Sequence, residues 1–79
     1  MKISYDPRYN IAYIALREKR EAVETLRLSD EVNIDISSDG KIYGIELLNA
    51  NAQLPLAKRQ HVVVTDESTG TVKKFSLTT

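Results

Sequence analysis

Two acids in the middle of the chain, Asp35 and Glu46, have the residue type and placement to do chemistry. Each lies in a stretch where apolar and polar side chains alternate, Val32-Asn-Ile-Asp-Ile36 and Gly44-Ile-Glu-Leu-Leu48. Two carboxylates on one sheet face can divide acid and base work between them, or hold a hard cation. Glu46, between Ile45 and Leu47, either faces solvent, pairs with a Lys or Arg across a strand, or is buried. Burial would raise its pKa, which is how a carboxyl becomes a general acid. A structural role is the favoured reading of Glu46, an interface role comes second and catalysis third. A calcium site needs several more backbone and side-chain oxygens, and Asp35-Ile-Ser-Ser-Asp-Gly40 lacks the spacing of an EF-hand loop. No metal or other cofactor is expected.

A second group is basic. Lys58, Arg59, His61, Lys73 and Lys74 come together if the C-terminal segment folds as a hairpin. They lack the interleaved aromatic residues of a nucleic-acid stacking platform, so a solvated face or a lysine-guarded sheet edge is the preferred reading. His61 has no serine or cysteine nearby in a recognisable nucleophile motif. A third group is Tyr43-Gly44-Ile45. Glycine in mid-strand weakens a sheet, and it marks a bulge, an aromatic ring packed across the gap, or close approach of another backbone at a subunit contact. The four tyrosines, Tyr5, Tyr9, Tyr13 and Tyr43, read chiefly as core, with an exposed interface as the alternative.

Positioning these residues falls to a small scaffold. A chain of 79 residues is one domain, and at that size only roughly 60% of the unfolded surface is buried. Thin cores of this kind are usually reinforced by disulfides, a metal or a partner subunit. The sequence has no cysteine and one histidine, which leaves the partner subunit, and a homo-oligomer, with a dimer favoured, is expected. Eleven basic and eleven acidic residues cancel, without the positive excess of a phosphate-backbone binder. No apolar run approaches the ~20 residues of a membrane span. Met1-Lys-Ile-Ser-Tyr-Asp6 lacks the apolar core of a signal peptide, and a cytoplasmic protein is expected.

The pattern predicts a mainly β (or small α+β) fold, antiparallel hairpins forming a meandering sheet. Residues 2–5 and 11–16 form a hairpin around the turn-prone Asp6-Pro-Arg-Tyr-Asn10. Arg17 to Glu21 is a solvated charge run. Ala22 to Leu28 reads as a strand, with a helix from Glu18 as the alternative, and Val23 and Thr25 favour the strand. Val32 to Ile36 and Lys41 to Leu48 form a second hairpin closed by Ser37-Ser-Asp-Gly40. A four-residue loop there pairs Ile36 with Lys41, Ile34 with Tyr43 and Val32 with Ile45. It gathers Val32, Ile34, Ile36, Tyr43, Ile45 and Leu47 on one face and Asn33, Asp35, Ile42, Gly44 and Glu46 on the other. A three-residue loop would set Glu46 beside Val32. Because a one-residue slip exchanges the faces, burial selects the register, and the four-residue loop is favoured. Short helical turns are expected within 50–60, capped by Asn49 or Asn51 and bounded by Pro55. His61 to Thr65 and Thr71 to Leu77 form a third hairpin around Asp66-Glu-Ser-Thr-Gly70.

Tyr5-Asp6-Pro7, Tyr13-Ile14 and the run from Asp39-Gly40 through Gly44-Ile45-Glu46 to Leu48-Asn49-Ala50 resemble the YuzE-like family of small bacterial proteins, known as domain of unknown function 2283. The resemblance covers about residues 1–52 and leaves 53–79 as a helical link and an additional hairpin. The family often carries an acid where this chain has Asn10. The resemblance implies no established activity. Toxin-like neighbouring genes of some members imply an antitoxin-like or partner-binding role.

The expected function is therefore a non-enzymatic protein-interaction or self-association module, with a small protein as a further partner. The alternatives are a small-molecule binder or enzyme using Glu46 and Asp35, and a weak nucleic-acid binder through the basic residues of 58–74.

Overall fold

The computed structural model describes residues 1–18, 22–54 and 60–77. Seven strands and one short helix follow in order: β1 (Lys2–Asp6), β2 (Ile11–Ala15), β3 (Val23–Ser29), β4 (Val32–Ser37), β5 (Ile42–Leu48), α1 (Ala50–Gln53), β6 (Gln60–Asp66) and β7 (Thr71–Leu77). The mainly β, antiparallel architecture is the one the alternation of residue types predicts. Residues 23–29 are strand, the arrangement that Val23 and Thr25 favour. The helical turns occupy residues 50–53, and Pro55 lies outside the described residues.

The strands form two sheets. One has five strands in the order β1-β2-β5-β4-β3, the other pairs β6 with β7. Strands β3, β4 and β5 follow one another as neighbours, and β5 then closes on β2, so the pairing that joins the N-terminal hairpin to the rest is non-local. Two of the tight loops are built alike. In the first, Asp6 Oδ1 accepts the Arg8 N–H at 2.9 Å and Asn10 closes the loop at φ 55°. In the last, Asp66 Oδ1 accepts the Ser68 N–H at 2.9 Å and Gly70 closes it at φ 74°. Aspartate and asparagine favour such turns through their side-chain oxygens, and glycine and asparagine tolerate the positive φ.

The register of the 32–48 hairpin differs from the favoured one. Ile36 pairs with Ile42, and then Asp35 with Gly44, Ile34 with Ile45, Asn33 with Glu46 and Val32 with Leu47. The loop is the three-residue one: Ser37 N–H donates to the Lys41 carbonyl at 2.9 Å, and Gly40 N–H donates to the Ser37 carbonyl at 3.0 Å. Buried Ser37 holds this loop, its hydroxyl donating to the Asp39 carboxylate and accepting the Lys41 N–H. Such a loop alone would bring Glu46 opposite Val32. A bulge between the Ile36–Ile42 and Asp35–Gly44 pairs inserts Tyr43 and adds one further residue of offset. The two one-residue displacements sum to an even shift, so Glu46 returns to the polar face. Burial thus selects the faces as expected, through a tighter loop and a compensating bulge. Ile42 moves into the row of Ile36.

One face of the large sheet is apolar. Ala12 and Leu47 pair across β2 and β5 and form a buried cluster with Ala50 of α1, against which Tyr5, Ile14, Val32, Ile45 and Leu54 pack. The four-residue helix is anchored from the first hairpin loop rather than by its own cap. The Asn10 carbonyl accepts the Ala50 N–H and its side-chain oxygen accepts the Asn51 N–H, both at 3.0 Å. These bonds satisfy two donors that a helix start leaves open. Asn49 occupies the capping position, as the sequence suggests, but in a left-handed conformation without a side-chain cap.

Candidate functional site

The polar face of the five-stranded sheet carries the candidate acids. Strand alternation puts Tyr13 of β2 opposite Glu46 of β5, Glu46 opposite Asn33 of β4, and Asp35 of β4 between Gly44 of β5 and Thr25 of β3. Directly opposed residues share a face, so Asp35 and Glu46 lie on one surface. Both are partly buried.

Gly44 organises the group. A β-carbon at this position would overlap the Tyr13 phenol, so the missing side chain is the space the ring occupies. Lying over Gly44, Tyr13 reaches across β5 and donates its hydroxyl to Asp35 Oδ2 at 2.6 Å. Thr25 donates to Asp35 Oδ1, also at 2.6 Å. The Asn33 amide donates to Glu46 Oε1 at 2.9 Å. Of the readings open for a mid-strand glycine, the structure displays the aromatic packed across the gap, beside a bulge.

The electrostatics make Tyr13 a donor. The hydrogen bond to Asp35 pushes its pKa up to about 12, with burial and the negative charges of Asp35 and Glu46 acting in the same direction. The phenol therefore stays protonated near neutral pH and does not serve there as a base or a nucleophile. Both Asp35 oxygens accept bonds from neutral hydroxyls, which fixes the carboxylate between three strands. Among the described residues no group of three or more His, Cys, Asp or Glu side chains assembles for a metal. The arrangement is a polar clasp joining β2, β4 and β3 across β5.

The other candidate residues are placed as follows. Tyr43 is buried, and the Arg17 guanidinium stands over its ring at 4.6 Å. Ile45 is half-buried on the apolar face, packed against the Ala12–Leu47–Ala50 cluster. His61, Lys73 and Lys74 are exposed on the β6–β7 hairpin, opposite Ser76, Val64 and Val63 respectively. As sequence neighbours on one strand, Lys73 and Lys74 project from opposite faces. Lys58 and Arg59 lie outside the described residues.

Two groups were not singled out from the sequence as sites. Thr25 became part of the clasp only because β3 pairs with β4. Asn10 donates its amide to Asn51 Oδ1 at 2.8 Å and to Asn49 Oδ1 at 3.2 Å, and accepts the Tyr5 hydroxyl at 3.1 Å. Asn10 acts as a structural hub. The signal for the clasp was Gly44 itself, a vacant side-chain position two residues from Glu46.

Among the described residues no helix is long and apolar enough to cross a membrane. A family model described as "Protein of unknown function (DUF2283)" matches residues 2–51, and the chain belongs to that family. The match spans the five-stranded sheet and the start of α1 and leaves the β6–β7 hairpin outside it. Neither the curated proteins nor the solved structures yield a match to this chain.

Proposed function

We propose that this chain is a non-enzymatic protein-interaction and self-association module working in the cytoplasm. One observation carries the reading. Among the described residues no large side chain is fully buried, and the helix over the apolar face of the five-stranded sheet is only four residues long. Leu26 and Ile42, in the rows of that face, are exposed, and apolar area left open in this way marks interaction surfaces more often than chemistry. Ile45 lies on that face, and the contact region is proposed to include it, with Tyr43 and Gly44 shaping the strand behind it. The partner is a second copy, and a small protein of the antitoxin–toxin kind is the further candidate.

The polar clasp supports the same reading. Asp35 and Glu46 already accept hydrogen bonds from Tyr13, Thr25 and Asn33, so they brace the sheet rather than present themselves to a substrate. The split of Lys73 and Lys74 between two faces weighs against a nucleic-acid track. Sedimentation of the full chain across the micromolar range tests the proposal. A dimer or larger species is expected, and a monomer at every concentration, with no small protein captured on co-expression with a neighbouring gene, overturns it.

A further inference from the structure

The β6–β7 hairpin lies outside the residues matched by the family model and exposes apolar side chains on both faces. Val63, Val64, Val72 and Phe75 are 54, 50, 51 and 55% exposed. Its extensive contacts among the described residues are between its own two strands. A lone two-stranded ribbon is marginal in water, and independent stability needs at least a third strand or a covering element.

The two edges of this ribbon differ. Strand β7 carries Lys73 and Lys74 at its centre, and lysine is a common guard of an exposed edge. Strand β6 reads His61-Val-Val-Val-Thr65 at its centre, a β-branched run with no lysine, proline or glycine. Its edge is unguarded. It is also self-complementary. Two β6 strands aligned antiparallel about Val63 set Val62 opposite the partner's Val64, Val63 opposite the partner's Val63, and His61 opposite the partner's Thr65. Asp66 then meets the partner's Gln60, and no like charges oppose one another. Pairing β7 with a second β7 about its centre would instead set Lys74 directly against the partner's Lys74, and like charges so opposed are destabilising.

We propose that β6 pairs antiparallel with β6 of a second copy, joining the two hairpins into one continuous sheet in the order β7-β6-β6-β7. The inference rests on the self-association reading and adds a second contact to the one that includes Ile45. The pairing closes both unguarded edges at once. Val62, Val64 and Phe75 share a face by the β6–β7 register, and the twofold doubles that set into a contiguous apolar surface. Main-chain hydrogen bonds supply the affinity, as in other strand additions.

The test uses the full chain and two variants. Val63 lies opposite Lys74 within the hairpin. In Val63→Glu the new acid is supported by Lys74 in its own hairpin but faces another acid across the twofold. Val63→Lys places lysine against lysine there. Each variant alone is expected to weaken the dimer by about tenfold in sedimentation, from like charges opposed and a valine pair lost. An equimolar mixture of the two is expected to recover wild-type association, which a misfolded variant would not do. In the wild type, protection of alternate β6 amides from hydrogen exchange should rise with protein concentration. A wild-type dimer that both variants leave intact overturns the β6 contact while self-association stands. A wild-type monomer throughout overturns both.

Discussion

The five-stranded sheet and the C-terminal hairpin begin from the same local chemistry and end in different states. The loops at 7–10 and 67–70 both open on an aspartate that accepts the N–H two residues on, and both close on a residue at positive φ. Each closes a ribbon rich in β-branched and aromatic residues. The N-terminal ribbon then acquires β5 beside β2, and the β2 residue Ala12 becomes fully buried. Among the described residues the C-terminal ribbon acquires no third strand, and Val63, Val64 and Val72 stay half exposed. Asn10 deepens the contrast, because its side chain reaches α1 while Gly70 has none to reach with. A ribbon becomes part of a core when a neighbour covers it, and its own propensity does not supply that neighbour.

The strongest way to break the comparison is Leu47→Ala. Truncating this buried side chain, which links β2, β5 and α1, should cost about 3 kcal/mol, the usual range for a core leucine. Urea denaturation followed by circular dichroism reads the loss. Hydrogen exchange should show it confined to residues of the five-stranded sheet, and equal loosening of β6 and β7 would mean the two regions are one cooperative unit. Next is Gly44→Ala. The added methyl displaces the Tyr13 ring and costs roughly 2 kcal/mol from overpacking and the lost bond to Asp35, measured in the same way. An unchanged stability would show that the ring is not seated on the glycine.

Asn10→Gly converts the first loop toward the chemistry of the last. It keeps the positive φ and deletes the side-chain bonds to Tyr5, Asn49 and Asn51. The expected loss is about 1 kcal/mol, with faster amide exchange in α1 and little change in the strands. Alkaline titration sharpens the role of the clasp. The fold raises the Tyr13 pKa to about 12, so the protonated phenol is the favoured form. Its contribution is complete below the unfolded tyrosine pKa of ~10 and is lost as pH rises through the folded value. Stability should fall along that limb, and Tyr13→Phe should flatten it. Phenolate absorbance should show one tyrosine ionising late. The smallest effect is at acid pH. Hydrogen bonds from the Ser68 side chain and backbone hold the Asp66 carboxyl below its ordinary range. The turn at 67–70 should therefore loosen as pH falls through that lowered value, visible as faster exchange of the Gly70 amide, and Asp66→Asn should remove the dependence.

Most strand positions were legible from the residues because the signals are local. The alternation from Val32 to Ile36, the β-branched run at 62–64 and the turn residues Asp6, Asn10, Gly40, Asp66 and Gly70 each act within a few positions of the chain. The shared face of Asp35 and Glu46 was legible for the same reason. The 32–48 register was not, because loop length and bulge trade against each other. Alternation specifies only that their sum be even, and it cannot say that Ser37 and Asp39 stabilise the shorter loop. The clasp was not legible either. It depends on Tyr13 of the N-terminal hairpin lying over Gly44 and reaching Asp35, a meeting of distant segments beside a bulge, and on Thr25 meeting Asp35 across the β3–β4 pair.

The amino-acid sequence by itself determined where the backbone extends, where it turns, and which side chains of each strand seek a common face. Those choices follow from side-chain shape and from hydrogen bonds between near neighbours. Only the tertiary structure decided that β5 lies between β2 and β4, that Tyr13 fills the space over Gly44, and that among the described residues β6 pairs with no strand but β7. Strand neighbours are chosen by competition among distant segments for the same backbone partners and the same buried area, and no single stretch of chain carries the outcome of that competition.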